Sequence, residues 1–172
     1  MVVLYFTICS QNSSVSVRFI YIGNECVYNY MKEMITVKLT LYTDYSLRVL
    51  MYLGMRDEEK IQIDEIAGYY NISRNHLTKV VHHLAKLGYI KTVRGRGGGI
   101  MLNYRPEAVN IGEVVRQTED NFHMAECFSE GNECVLTPVC GLRFVLNDAL
   151  KAYLEVLDKY TLQDIIPKAI PR

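Results

Sequence analysis

No stretch of this 172-residue sequence is apolar for long enough to cross a membrane. Its longest uncharged, mostly apolar stretches follow Val2 and cover residues 19–22, far short of the roughly eighteen residues that a spanning helix needs. The start also lacks the basic opening of a secretory signal, and polar residues 11–14 interrupt it. The sequence therefore predicts a cytoplasmic protein without an integral membrane segment.

The sequence also lacks the compositional bias of a disordered chain. Apolar residues make up 49% and charged residues 22%, which is close to the globular average. A chain of this length forms one domain, or a small domain with an accessory arm. Residues 1–36 show no sustained periodicity. We interpret them either as a translated upstream region, with the true start at Met34 or Val37, or as a real but poorly ordered extension.

An excess of one charge sign is absent, because 19 Lys and Arg balance 19 Asp and Glu. The charges are nevertheless separated along the chain. Residues 73–105 carry seven bases and no acid, whereas residues 107–164 carry eleven acids against four bases. Because salt screens charge beyond about 10 Å at 0.1 M, a local basic segment matters more for phosphate contact than the overall sum. The basic segment is either a nucleic-acid surface or a solvated basic face.

Hydrophobic periodicity predicts three helices in and before this basic segment. The first covers residues 43–56 and is capped by Thr43, and the second covers residues 63–70. A tight turn then leads to a third helix, which Ser73 caps and Gly88 closes. Two short helices, a brief turn and a capped helix form a helix-turn-helix.

A β-hairpin is predicted directly after the third helix. Residues 89–93 and 100–103 are strand-like, and a glycine-rich sequence with Arg94 and Arg96 joins them. A glycine-rich loop that binds nucleotides needs a strand-to-helix context, which this loop lacks. The sequence therefore predicts a mainly α protein with a small β-hairpin wing, in which residues 37–106 form a winged helix-turn-helix.

The winged helix-turn-helix supplies candidate contacts to double-stranded DNA. The first turns of a recognition helix read base edges in the major groove, where Asn bonds adenine and Arg forks onto guanine. A wing reaches the minor groove or the backbone. Each candidate alone is equally well explained as a surface residue, but together on this frame they predict DNA binding. The candidates are Ser73, Arg74, Asn75, His76 and Lys79 on the third helix, and Arg94 and Arg96 on the wing.

The five cysteines do not form a plausible disulfide framework. Cys127, Cys134 and Cys140 lie within fourteen residues as C-x6-C-x5-C, and an odd cluster in a reducing compartment leaves one thiol over. Three thiolates on a short loop can instead hold one soft metal centre, with a fourth ligand from elsewhere. The spacing matches neither zinc ribbons nor ferredoxins, so structural zinc and buried inert thiols stay open as alternatives.

The longest regular pattern follows these cysteines, at residues 141–160. Apolar residues recur there at heptad spacing, and we expect this helix to pair two copies of the chain, since winged helices generally read two half-sites. In a dimer, residues 107–140 would form a linker helix with the cysteine loop, and residues 141–166 would form the dimerisation helix with a C-terminal segment. The alternative is that the apolar side of this helix is buried within a single subunit. The predicted seam comprises Leu142, Leu146, Ala149, Tyr153, Val156 and Tyr160.

No catalytic constellation emerges, because no nucleophile is paired with an oriented base, and we do not expect an enzyme. An iron–sulfur electron-transfer or redox enzyme would need a docking surface or a substrate pocket, and the winged helix supplies neither. A third class is a DNA-binding regulator without iron, whose cysteines hold zinc or sense thiol oxidation.

Several segments of the sequence resemble one known family. They are the stretches 38–48, 73–77, 88–90 and 93–99, together with the cysteine loop and its flanks at residues 126–142. They are similar to the NsrR family of nitric-oxide-sensing repressors, within the winged-helix iron–sulfur regulators that include IscR. The similarity covers residues 37–166, and residues 1–36 have no counterpart in that family.

The resemblance implies a homodimeric repressor with one iron–sulfur cluster per subunit, bound by Cys127, Cys134 and Cys140. Both 4Fe–4S and 2Fe–2S forms occur in the family, and we favour 4Fe–4S. The intact cluster would permit operator binding, and nitric oxide would dismantle it, release the DNA and derepress nitric oxide detoxification genes. The alternative within the family is a regulator of iron–sulfur or cysteine metabolism with a different signal.

The resemblance also implies roles for three residues other than the cysteines. Asp44 of the partner subunit would be the fourth cluster ligand, whereas the alternative for this residue is a carboxylate that stabilises the start of its helix. A salt bridge between Arg48 and Glu119 would link the cluster region to the DNA-binding half.

Overall fold

The computed structural model describes residues 20–22, 25–27, 39–56 and 59–167. The chain divides into two compact units, Met1–Lys38 and Leu39–Arg172. In the first unit, strands β1 (Ile20–Ile22) and β2 (Glu25–Val27) pair antiparallel, with Tyr21 opposite Cys26. The remainder of the predicted N-terminal extension, including both suggested start positions, lies outside the described residues.

Helix α1 (Leu41–Gly54) opens the second unit. Thr40 caps it, because its Oγ1 accepts a hydrogen bond from the Thr43 N–H at 3.2 Å. The prediction that Thr43 is the cap is therefore wrong, since either threonine suits a helix start and Thr43 is fully buried inside α1. The apolar face of α1, which includes Val49 and Leu50, lies at the centre of the core.

Helices α2 (Ile63–Tyr70) and α3 (Arg74–Lys86) form the predicted helix-turn-helix. Asn71 adopts a left-handed conformation with φ of 52°, which ends α2 and redirects the chain into α3. Ser73 occupies the predicted N-cap position of α3 but makes no capping hydrogen bond with its side chain. One face of α3 is buried as the periodicity predicted, through Leu77, Val80, Val81 and Leu84.

Strands β3 (Ile90–Val93) and β4 (Gly99–Leu102) form the wing and pair antiparallel, with Thr92 opposite Ile100. The tip of the wing turns at Gly95 and Gly97, whose φ angles of 97° and 77° favour glycine. Gly99 permits a close approach, because an added Cβ would lie 2.8 Å from the carbonyl oxygen of Ile61. The predicted fold class, mainly α with a small hairpin wing, is confirmed.

Three further helices follow the wing: α4 (Ile111–Thr118), α5 (Gly141–Leu157) and the short α6 (Leu162–Ile165). Single 3₁₀ turns lie at Pro106–Ala108 and Glu126–Phe128. α6 returns the chain to the core, where Leu162 is fully buried and its N–H donates to the Val109 carbonyl at 2.8 Å. α5 contacts α4, yet no residue of α5 is buried.

The hydrophobic core therefore joins the winged helix-turn-helix, α4 and α6. Within the described residues, every helix is too short or too polar to span a membrane. The fully buried large side chains that define this core include Tyr52, Leu50, Ile66, Leu77, Leu84, Leu162, Val49, Val80, Val114 and Val115.

Candidate DNA interface and cysteine loop

The first turns of α3 present the predicted reading face to solvent. Burial of the opposite face fixes the rotation of α3, because residues three and four apart share a side of a helix. The structure thus places all five α3 candidates on exposed positions, and their contact with DNA stays a prediction. These residues are Ser73, Arg74, Asn75, His76 and Lys79.

Two local contacts hold side chains of this reading face. The Nε of Arg74 lies 2.7 Å from Oδ1 of Asp64, at the start of α2. The ring of His76 stacks on that of Tyr45 in α1, with 6.4 Å between their centroids. The reading face is therefore joined to both helices that precede it.

The wing exposes the second set of predicted DNA contacts. Arg94 and Arg96 are both exposed at its glycine-rich tip. The side-chain amide of Gln62 donates a hydrogen bond to the carbonyl of Gly98, which ties the base of the tip to the loop before α2. The wing thus carries its two cations on a hairpin that is anchored to the helix-turn-helix.

Residues 119–140 form the cysteine loop, which carries three free thiols. Cys127 and Cys140 are half-buried, and Cys134 is exposed. The carboxylate of Glu126 accepts a hydrogen bond from the N–H of Glu133 at 2.9 Å. Because these two residues directly precede Cys127 and Cys134, this bond brings the backbones of the two cysteine segments together.

Asn132 organises the second half of the cysteine loop. Its Oδ1 accepts from the Cys134 N–H at 3.1 Å and from the Thr137 hydroxyl at 2.7 Å. Sequence reasoning assigned no role to Glu126 or Asn132. The available signal was that an acidic residue and a turn-forming amide each lie within two positions of a cysteine.

Cys140 is the N-cap residue of α5. It makes no capping hydrogen bond with its side chain, and the first turn of α5 contains no acidic residue. The N–H groups of that turn, together with the helix dipole, therefore favour an anion such as a thiolate or a cluster at this position. Three sulfur donors on one tethered loop have the chemistry that iron–sulfur clusters require.

The structure does not bring a full ligand set together. Among the residues that it describes, no three His, Cys, Asp or Glu side chains lie together as a metal-binding group. The assignment of Cys127, Cys134 and Cys140 as ligands stays a prediction, with Asp44 of the partner subunit as the fourth ligand. In the single chain, both carboxylate oxygens of Asp44 face Arg48, at 2.8 and 3.0 Å.

Arg48 and Glu119 have partners that differ from the predicted ones. Arg48 pairs with Asp44 one turn earlier in α1, and its guanidinium lies 5.7 Å from the ring centroid of Tyr70. Glu119 accepts a hydrogen bond from the Thr40 N–H at 2.8 Å. The expected Arg48–Glu119 ion pair is therefore not formed within the described chain, since Arg48 faces Asp44 and Glu119 accepts from the Thr40 N–H.

The start of α1 connects the cysteine loop to the reading helix. Glu119, the first residue of the cysteine loop, holds the N–H of Thr40. Two residues later, the Tyr42 hydroxyl donates to the carbonyl of Lys79 in α3 at 3.3 Å. Burial raises the pKa of Tyr42, and the nearby carboxylate of Asp120 raises it further to a smaller extent, so this hydroxyl stays a donor at neutral pH.

A cleft of about 690 Å³, lined by residues with polar or charged side chains, lies beside these contacts, between α3 and the end of α4. One wall carries Lys79 and Lys86, and the other carries Glu119 and Asp120. Between the walls, the buried Nδ1 of His83 has no hydrogen-bond partner among the described residues. The cleft therefore lies between the recognition helix and the start of the cysteine loop.

Helix α5 has two apolar sides with different environments. The side that includes Leu146 and Tyr153 is half-buried within the chain, and burial near Glu119 raises the pKa of Tyr153. These two members of the predicted seam are partly covered within the single chain, whereas the other four, Leu142, Ala149, Val156 and Tyr160, are exposed. The exposed apolar residues that recur at spacings of three and four are Leu142, Val145, Ala149, Ala152 and Val156.

Comparisons with known proteins identify relatives of the whole second unit. The family model Rrf2, described as an iron-dependent transcriptional regulator, matches residues 39–168. The chain is 60% identical over 132 residues to the HTH-type transcriptional regulator NsrR of Bacillus licheniformis, covering 76% of this chain and 92% of the relative. The protein of the same name from Bacillus subtilis is also 60% identical, with 76% and 90% covered. These relatives are transcriptional regulators rather than enzymes.

Solved structures with the same fold include T. potens IscR, at 23% identity with a TM-score of 0.62, covering 76% of this chain and 87% of that chain. CymR, described as the global cysteine regulator of B. subtilis, is 26% identical with a TM-score of 0.59, covering 78% and 99%.

Proposed function

Because this chain belongs to the Rrf2 family of iron-dependent transcriptional regulators, we propose that it is a nitric-oxide-sensing DNA-binding repressor whose cysteine loop holds an iron–sulfur cluster. The observation that carries the proposal is the 60% identity, over about nine-tenths of their length, with regulators called NsrR. A DNA partner places the proposed action in the cytoplasm, and the regulated genes would be those for nitric oxide detoxification.

The DNA surface of this proposal combines the α3 reading face with the wing. Its charge supports the assignment, since residues 73–105 carry seven bases and no acid. Cations at the wing tip would hold phosphates or enter the minor groove, and the first turns of α3 would face base edges. In this proposal Ser73, Arg74, Asn75, His76 and Lys79 act with Arg94 and Arg96.

The cluster would be held by Cys127, Cys134 and Cys140, with Asp44 of the partner subunit as the fourth ligand. Three sulfur donors and one oxygen donor suit an iron–sulfur centre with one labile position, and we favour 4Fe–4S over 2Fe–2S. When bound, such a centre supplies iron that reacts with nitric oxide. For Asp44 to act as a ligand, at least one of its oxygens must leave Arg48.

A homodimer is part of this proposal because α5 leaves an apolar stripe uncovered. The stripe runs from Leu142 to Val156 at heptad spacing, and Leu142 is 58% exposed in the single chain. Its centre consists of Ala149 and Ala152, whose small side chains let two helices approach closely. Pairing α5 with its copy would bury this stripe and place two reading helices in one particle, as a two-fold operator requires.

The coupling between the two sites would run through the start of α1. While the three thiolates share one centre, the cysteine loop and Glu119 are held in place. Glu119 in turn holds Thr40, and the next residues of α1 hold α3 through Tyr42 and Tyr45. Release of the thiolates frees Glu119 to move, and the spacing of the two reading helices then changes. A coupling of about 1–3 kcal/mol changes operator affinity roughly 5- to 150-fold.

The test is DNA binding by the full chain, purified without oxygen, before and after addition of nitric oxide. The probe is a duplex that this chain selects from a randomised DNA pool. We expect nitric oxide to lower the affinity for this duplex about 5-fold or more. Cys134→Ser should remove that response, whereas the matched variant Cys26→Ser, outside the cysteine loop, should keep it. The proposal fails if nitric oxide leaves the affinity of the unsubstituted chain unchanged.

A second candidate is a regulator of iron–sulfur or cysteine metabolism with the same fold and a different signal. It is favoured by the likeness to CymR, although at 26% identity. Under this alternative, free cysteine or loss of iron would change DNA affinity and nitric oxide would not, so the same binding assay separates the two.

A further inference from the structure

An ion pair joins the two helices of the helix-turn-helix at the reading face. The Nε of Arg74, the first residue of α3, lies 2.7 Å from Oδ1 of Asp64 in the first turn of α2. Both side chains are about two-thirds exposed, at 67% and 66%. Solvent and salt weaken such a pair, so it contributes little to folding stability. Its effect is instead on the orientation of the guanidinium.

The contact with Asp64 lies at one edge of the guanidinium, since Nε is the nitrogen nearest to the carboxylate. An arginine reads guanine by donating two parallel hydrogen bonds to N7 and O6. Because the Asp64 carboxylate lies against the Nε edge, the fork that stays open for guanine is the one formed by the two terminal nitrogens. The carboxylate thus selects one of the two ways in which an arginine can present its fork.

The surroundings hold both members of the pair. Asp64 lies in the first turn of α2, where the positive end of the helix dipole favours its charge. On α3, the hydroxyl of Thr78 donates to the carbonyl of Arg74 at 2.8 Å, which closes the turn that carries the arginine. Asn75 and His76 are exposed beside it, so Arg74 belongs to the same surface as the other candidate base contacts.

We propose that Asp64 is a specificity-determining residue for DNA recognition, which positions Arg74 to read a guanine in the major groove through Nη1 and Nη2. This inference deepens the DNA-reading part of the proposed function and rests on it. It does not depend on iron or on nitric oxide.

The charge of Asp64 makes the proposal separable from a general electrostatic effect. A carboxylate near DNA repels phosphates, so its removal alone would strengthen binding to every sequence. If Asp64 positions Arg74, its removal should instead weaken binding to duplexes that carry guanine at the position that Arg74 reads. The reason is that the arginine, no longer oriented by Asp64, must be ordered when it binds the guanine, which reduces the affinity for these duplexes about 2- to 10-fold.

The experiment measures base preference with the full-length chain and its Asp64→Asn variant. The unsubstituted chain first selects a duplex from a randomised pool, and Arg74→Ala identifies the position at which guanine preference is lost. At that position we expect Asp64→Asn to lower the preference for guanine over adenine about 2- to 10-fold. Affinity for random-sequence duplex should not fall. Glu155→Gln, the same charge change on an exposed position of α5, should leave both quantities unchanged.

A double variant isolates the pair. In the Arg74→Ala background, Asp64→Asn should cause no further loss of base preference. The proposal is overturned if Asp64→Asn leaves the guanine preference unchanged, or if Asp64→Asn lowers it equally in the Arg74→Ala background. It is also overturned if Arg74→Ala loses guanine preference at no position of the duplex. A failure of the proposed function differs, since it would appear as DNA binding that ignores nitric oxide while the base preference persists.

Discussion

Residues 39–118 and residues 119–157 contrast sharply in how much of their apolar surface the single chain covers. The first region surrounds a core in which Leu50, Ile66 and Leu84 are fully buried. In the second region no residue is buried, although the cysteine loop and α5 are rich in apolar side chains. Exposed apolar surface of this kind marks a site where another molecule binds. The core of the first region is closed within the chain with the help of α6, whereas under the proposed function a second copy of the chain and the cluster would cover the second region.

The largest expected effect comes from replacing one leucine by alanine in each region. Leu84→Ala leaves a cavity in the core and should lower the free energy of unfolding by about 2–5 kcal/mol. Leu136→Ala, in the exposed cysteine loop of the iron-free chain, should lower it by less than about 0.5 kcal/mol. Urea denaturation followed by circular dichroism measures both. Equal losses would erase the contrast between the regions.

The next effect concerns the exposed stripe of α5. Ala149→Glu places a carboxylate at the centre of the proposed helix pair, and the cost of burying it should weaken dimerisation roughly 100-fold. Lys151→Glu introduces the same side chain on the polar side of α5 and should leave the dimer intact. Sedimentation equilibrium distinguishes the species. A monomeric unsubstituted chain, or a dimer that tolerates Ala149→Glu, would contradict the assigned stripe.

A smaller effect is expected where the two regions join. Glu119→Ala removes the acceptor of the Thr40 N–H and should lower the free energy of unfolding by about 1–2 kcal/mol. Glu119→Gln keeps an acceptor oxygen and should restore most of this loss. Thermal or urea denaturation checks the order of the three proteins. If the alanine and glutamine variants are equally destabilised, the hydrogen bond to Thr40 is not what Glu119 contributes.

The smallest effect is a pH dependence at the end of α5. Arg116 lowers the pKa of Asp158 below its ordinary value of 3.8 through a charge-assisted hydrogen bond, with Nη2 and Oδ2 2.7 Å apart. A lowered pKa in the folded state stabilises the fold above pH 3.8, and this contribution disappears as the pH falls through the lowered value. Asp158→Asn should therefore be slightly less stable than the unsubstituted chain at pH 7.

Denaturation midpoints measured at successively lower pH provide the check on Asp158. The difference between the two proteins should shrink as the pH falls below the ordinary carboxyl range. A difference that is constant with pH would mean that the asparagine acts through packing instead. Such packing is close here, since Gly112 lies against the Asp158 carboxylate with no room for a Cβ.

The fold of the first region was largely predictable because its periodicity has one interpretation. The apolar residues of α3 repeat on a single side, and the structure buries that side. The cap of α1 was missed because Thr40 and Thr43 are chemically equivalent signals, and only the packing of Thr43 into the core separates them.

The second region was less predictable because both sides of α5 are apolar. Heptad spacing alone cannot tell a side that the chain partly covers from a side left in solvent, so the predicted seam combines the half-buried Leu146 and Tyr153 with exposed residues. The expected Arg48–Glu119 pair is not formed in the single chain for a different reason, since Asp44 pairs with Arg48 from one helical turn away. The roles of Glu126 and Asn132 depend on loop hydrogen bonds that no periodicity encodes.

Iron and acid-labile sulfide per chain, measured on protein purified without oxygen, test most directly whether the cysteine loop is completed by an iron–sulfur cluster. We expect both elements at a fixed ratio to the chain, and we expect their loss when Cys127, Cys134 and Cys140 are replaced by serine. Replacement of Cys26 should leave the iron in place. A colourless chain with stoichiometric zinc, or one without metal that binds its operator equally well, would contradict the proposed cluster.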